Sequence, residues 1–166
     1  MTEFQIRPAR RDDLPQASLL AAELVRLHHR YDALRFMMFE PIAPGYERFM
    51  ASLLGRDDAV VLVAAEGADG SGAVVGYLIA TLEDRDWSDL RDACGKIHDV
   101  YVAEPARGRG VASALCRQAL VRLAAMGAPR VVLMTAWQNE GARGLFATLG
   151  FRPTMVEMTR ESEPSP

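Results

Sequence analysis

Lysine is all but missing from this chain: of 19 basic residues among 166, only Lys96 is not arginine. Nor does positive charge dominate, since the net charge is −3 and the isoelectric point is near 5.6. Domains that bind nucleic acid usually carry a basic face and an isoelectric point above about 9, so no nucleic-acid partner is expected. Cysteine is equally scarce. Cys94 and Cys116 have neither metal-ligand spacing nor the density of a secreted disulfide scaffold, which predicts a reducing cytoplasm and no metal site. Long apolar runs are missing too: the longest covers residues 59–65, whereas a bilayer span needs about 20 residues. The N-terminal stretch carries Glu3, Arg7, Arg10 and Arg11 without an apolar signal core, so no membrane partner is expected.

What is present reads as one α/β domain over residues 1–160, followed by a polar tail over 161–166 that is predicted to be disordered. Alternation of Phe4 and Ile6 with Gln5 and Arg7 predicts a first strand. Leu14, Ala17, Ala21, Leu24, Val25 and His28 then share one helical face. Periodicity fails over 28–46, where Tyr31, Phe36, Phe39 and Glu40 run into Pro41 and Pro44, as in an irregular binding loop. A short helix over 46–54 precedes a hairpin of strands 59–65 and 73–82, joined by a glycine-rich turn. Glu83, Asp84, Asp86, Asp89 and Asp92 follow, either as a solvated loop or as an acidic rim that attracts a cation. Strand 96–102, helix 110–126 and the apolar run 130–135 form a βαβ unit, because strand, helix, strand in that order demands a parallel crossover. Cys116 lies on the core face of its helix and reads as structural. A last helix over 139–149 and a final strand within 151–159 complete the expectation.

The segment Arg107-Gly108-Arg109-Gly110-Val111-Ala112 stands at the turn from strand to helix. Glycines let the backbone approach a ligand closely, arginines add positive charge, and the first turn of the helix offers unpaired N–H groups. A phosphate or pyrophosphate is the natural guest. A P-loop would need Gly-Lys-Ser/Thr, but Val111 and Ala112 follow Gly110; a dinucleotide fingerprint would need an acidic residue closing the next strand, which ends Leu133-Met134-Thr135.

The same segment resembles, position for position, the Arg/Gln-x-x-Gly-x-Gly/Ala pattern of the GNAT superfamily of acyl-CoA-dependent N-acyltransferases. Residues 97–102 look like that family's fourth strand. Asn139, Ala142, Leu145, Gly150 and Phe151 keep the spacing of its following helix. The resemblance implies a mixed, mostly antiparallel sheet of six to seven strands, flanked by helices and splayed between strands 4 and 5. Acetyl-CoA would be the co-substrate, with the pyrophosphate held by the backbone from Arg107 through Gly108, Arg109, Gly110 and Val111 to Ala112. By the same similarity, Val100, Tyr101 and Val102 would line the pantetheine arm, with Asn139 and Phe146 beside it. A homodimer is implied, and the last strand, around Met155 to Met158, is its expected contact.

The implied chemistry is direct attack of a neutral amine on the acetyl thioester, so a base is needed. His98 stands where some relatives carry a glutamate base, and Asp99 follows it. Strict alternation would send the two to opposite faces, but a bulge of the kind common in this family's fourth strand would bring both to the acceptor. Phe146 departs from the family, because many relatives have there a tyrosine that protonates the leaving thiolate. Tyr31 or Tyr101 could substitute. Tyr31, Phe36 and Glu40 are candidates for the acceptor wall. The expected function is N-acetylation of a small, cationic amine; the alternative is an acyl-CoA-binding sensor without catalysis.

Overall fold

The computed structural model describes residues 3–162. The elements are β1 (Phe4–Pro8), α1 (Leu14–Tyr31), α2 (Ala43–Leu53), β2 (Ala59–Glu66), β3 (Val74–Glu83), β4 (Cys94–Val102), α3 (Val111–Ala125), β5 (Val131–Leu133) and α4 (Glu140–Thr148). They build a single five-stranded sheet in the order β1-β2-β3-β4-β5. Its pairs are antiparallel except β4 with β5, which the crossover through α3 makes parallel.

Both faces of the sheet are covered. Because side chains alternate along a strand, Leu62, Ala64, Leu78 and Ala80 meet Leu115, Ala119 and Leu123 of α3 and Phe146 of α4. Val61, Val63, Tyr77 and Ile79 face the other way, onto Leu14, Ala17, Ala21 and Leu24 of α1 and Met50 of α2. Double coverage explains why β2 and β3 read as continuous apolar runs. Arg7 of β1 grips Asp13 with two hydrogen bonds, of 2.7 and 2.8 Å, and fixes the entry to α1. No helix among the described residues is long and apolar enough to cross a membrane.

The strand count corrects the expectation of six to seven. Among the described residues there is no strand after α4: 151–162 carry no regular secondary structure. Met155, Val156 and Met158 are exposed there, and Glu157 pairs with Arg35 instead of entering a ladder. β5 therefore stands at the edge of the sheet and pairs only with β4 among the described residues. The expected disordered tail lies, for 163–166, outside the described residues.

Candidate active site

The register of β4 against β3 shifts by one residue at His98. Ile79 faces Asp99 and Ala80 faces Ile97, so His98 is the extra residue of a bulge. The bulge turns His98 and Asp99 to the same side, toward α1 and α2. There His98 Nε2 lies 2.7 Å from Thr81 Oγ1 and 3.3 Å from Glu83 Oε1, and the Thr81 hydroxyl donates to Glu83 at 2.6 Å. Tyr77 donates to Asp99 at 3.3 Å, and the Tyr46 hydroxyl bonds the same carboxyl. Burial holds His98 below its ordinary value, with Glu83 opposing that shift. Burial likewise raises Asp99, against the hydrogen bonds of the two tyrosines, and pushes both phenols well up, so that they remain donors.

His98, Thr81 and Glu83 line a cavity of about 540 Å³, together with Asp84, Asp86 and Trp87. Its arginines are engaged: Arg56 pairs with Asp58, Arg85 with Asp92, and Arg91 donates to the Asp84 carbonyl and to Cys94 Sγ. Glu83, Asp84 and Asp86 of the acidic stretch thus line this cavity, while Asp89 and Asp92 lie outside its lining.

Gly108 and Gly110 adopt φ of +73° and +79°, and Gly110 is the left-handed residue that opens α3. A Cβ at either would meet nothing within 4 Å, so the space before the helix N-terminus is open. A pyrophosphate fits such a cradle of backbone N–H groups. The two arginine side chains make contacts of their own within the chain. Arg107 folds back onto the Val102 carbonyl and the Tyr101 hydroxyl, each at 3.0 Å, and Arg109 lies over the Phe4 ring and 3.9 Å from Glu66. Beyond the pairs Gly95 to Val131, Lys96 to Val132 and Ile97 to Leu133, β4 and β5 part company. Val100, Tyr101 and Val102 therefore lie on a stretch of β4 without a β5 partner.

The other candidates have partners within the chain. Tyr101 donates to Glu23 at 3.1 Å. The Asn139 carboxamide oxygen caps α4 by accepting from the Ala142 N–H. Phe146 is 6% exposed and packs edge-on against Phe151, which makes it a core residue. Tyr31 and Phe36 pack around the His28 ring, and Glu40 bonds Arg26 at 2.7 Å, so they fasten the 32–42 segment to α1 and are absent from the lining of the His98 cavity. Sequence reasoning missed Thr81, Tyr46 and Tyr77. Thr81 did leave a signal, as a hydroxyl near the end of an otherwise apolar strand; the tyrosines left none. Burial pushes the Cys116 thiol up to about 11, in keeping with its structural reading.

Residues 24–151 match the model of the Acetyltransferase (GNAT) family. A mycothiol acetyltransferase from Beutenbergia cavernae is 38% identical over 89 residues, which are 53% of this chain and 27% of that protein. The chain thus matches only about a quarter of that curated relative's length. A tetramutant of the BH1408 protein from Bacillus halodurans superposes with a TM-score of 0.79 at 22% identity, over 95% of this chain and 99% of that one. The aminoglycoside N-acetyltransferase AAC(6')-Iy, solved with CoA, gives 0.76 at 15% identity over 99% and 97%. The chain belongs to the GNAT acetyltransferase family.

Proposed function

We propose that this GNAT-family chain transfers the acetyl group of acetyl-CoA to a primary amine of a small, cationic acceptor, by direct attack within a ternary complex. The observation that carries the reading is the β4 bulge, which delivers His98 to an acid-rimmed cavity on the strand that leads into the phosphate cradle. Acetyl-CoA, when bound, supplies an acyl group already activated as a thioester. The N–H groups of the Gly108 to Ala112 backbone hold its pyrophosphate, and the unpaired stretch of β4 lies along its arm. Holding both reactants in line supplies roughly 7–11 kcal/mol of the barrier reduction, which dispenses with a covalent enzyme intermediate.

An alkyl ammonium must lose a proton before it attacks. His98, neutral at pH 7 because burial lowers its pKa, takes that proton. The nitrogen lone pair then forms the C–N bond as the C–S bond breaks, and the sulfur leaves as thiolate. The second nitrogen proton passes to the sulfur, and His98 returns its own to water. Glu83, Asp84 and Asp86 favour a cationic acceptor, while the ring of Trp87 already has the Arg85 guanidinium 5.4 Å from its centroid. A homodimer joined around the exposed Met155 to Met158, in a cytoplasm that keeps Cys94 and Cys116 free, belongs to the same proposal.

The test is free-thiol release from acetyl-CoA with a panel of diamines, aminoglycosides and amino-acid derivatives. Turnover with cationic amines is expected, and His98→Ala lowers it more at pH 7 than at pH 9. One observation favours the alternative of an acyl-CoA sensor: Phe146 is a buried phenyl, unable to protonate a leaving thiolate. Saturable acetyl-CoA binding without turnover of any amine establishes that reading instead. An alkyl thiol ionises near pH 8.5, so the sulfur leaves acceptably without an acid, and this keeps catalysis the preferred reading.

A further inference from the structure

Within the cavity, Thr81 sits between His98 and Glu83 and lies closer to each than they lie to one another. Glu83 Oε1 is 2.6 Å from the Thr81 hydroxyl, His98 Nε2 is 2.7 Å from it on the other side, and His98 to Glu83 directly is 3.3 Å. Thr81 itself is buried, at 7% exposure. A threonine hydroxyl has one proton to give, and an ionised carboxylate can only accept. Glu83 is held ionised, its pKa lowered chiefly by this same hydroxyl. The Thr81 proton therefore goes to Glu83, and the oxygen can only accept from the ring. Nδ1 of His98 makes no hydrogen bond within the described residues.

We propose that Thr81 and Glu83 are positioning residues: they keep the ring proton of His98 on Nε2 and leave Nδ1 as the atom that takes the acceptor's proton. The inference rests on His98 being the base. The chain serves both protonation states, because Nε2–H donates to Thr81 whether Nδ1 is bare or protonated. Proton uptake at Nδ1 thus needs no rearrangement of the ring. Other charges that act on the ring are Lys96 and Asp99 from its own strand, while Arg91 acts on Glu83. Arg56, Asp84, Arg85 and Asp86 share the cavity from the segments after α2 and β3.

The chain has only three histidines, so the ring nitrogens are resolvable by NMR of histidine-labelled protein, with His98→Asn giving the assignment. In the wild type, neutral His98 is expected as the Nε2–H tautomer, titrating at Nδ1. Glu83→Gln removes a charge that raises the His98 pKa, so its titration moves to lower pH, and the acid limb of the kcat/KM profile moves with it. Thr81→Val mixes the tautomers and costs about tenfold in kcat at pH 7, part of the roughly 10²–10⁴-fold that a positioned base supplies. KM for acetyl-CoA stays unchanged, and Thr81→Ser restores the wild-type spectrum and rate. A neutral wild-type ring carrying its proton on Nδ1, or an unshifted His98 titration in Glu83→Gln, overturns the inference. Since Glu83 is partly exposed, that variant decides the matter even if the Thr81→Val chain does not fold. Loss of the pH-dependent limb in His98→Asn with an Nδ1–H ring in the wild type leaves the base reading standing and removes the proton lock. An unaltered limb in His98→Asn removes the base reading, and with it the catalytic part of the inference.

Discussion

Tyr77 and Asp99 lie diagonally across β3 and β4, hydroxyl to carboxylate at 3.3 Å, on the face that also carries His98. Burial raises the pKa of this carboxyl despite the two phenols that donate to it. A carboxyl that holds its proton more tightly when folded favours folding at low pH. That advantage is lost as pH rises from the ordinary value of about 3.9 through the raised one. Asp99→Asn is therefore expected to raise Tm above wild type at pH 8, with the gain vanishing near pH 3. As a candidate site residue, the same variant is expected to lose about tenfold in kcat. Thermal scans at the two pH values check the first expectation, and thiol release checks the second.

The cradle rests on backbone shape. Gly110→Ala forces an L-residue into the left-handed region at φ +79°, which costs roughly 1–2 kcal/mol, and projects a Cβ into the space before α3. Calorimetric titration is expected to show at least a tenfold weaker Kd for acetyl-CoA. Gly127→Ala, at φ +90° and at the other end of α3, carries similar strain and serves as the control; its Kd is expected to match wild type.

Asp13 behaves in the opposite sense to Asp99. Hydrogen bonds from Arg7 hold its carboxyl below the usual range, so its contribution to stability is complete above about pH 3.9 and is lost as pH falls through the lowered value. Asp13→Asn is expected to lower the urea midpoint at pH 7 and to flatten the acid limb of the stability profile below pH 4. Urea melts at pH 7, 4 and 2.5 measure both.

Phe146 is placed as a core side chain, edge-on to Phe151 with ring centroids 5.8 Å apart. Phe146→Ala is expected to cost roughly 3–5 kcal/mol, which for a chain of this size is a Tm lower by on the order of 10 °C. Differential scanning calorimetry decides it; a fall of only one or two degrees would show that the ring is not packed as described.

Local features of this chain were legible before any fold was known. The glycines at 108 and 110, the helix that follows and the strand before it are neighbours in sequence, so the cradle and the βαβ unit could be read from spacing alone. Periodicity likewise located α1, the β2–β3 hairpin and α4 to within a few residues. The expected final strand is absent among the described residues: 151–162 pair with no strand, and β5 stays at the edge of the sheet.

The arrangement around His98 depended on register. His98 and Thr81 are 17 positions apart, and their 2.7 Å contact exists because β4 slips by one residue against β3 at the bulge. A one-residue slip reverses which face every side chain meets, and only the pairing of the two strands decides where it occurs. Tyr77 meets Asp99 through the same strand pairing, and Tyr46 meets it through the packing of α2 on the sheet. The sequence by itself determined the glycine turn before α3, the order of the elements as far as α4 and the family, since each is carried by patterns local to successive segments of the chain. Tertiary structure alone decided which hydroxyls and carboxylates surround His98, because hydrogen bonds between strands are set by register and not by spacing along the chain.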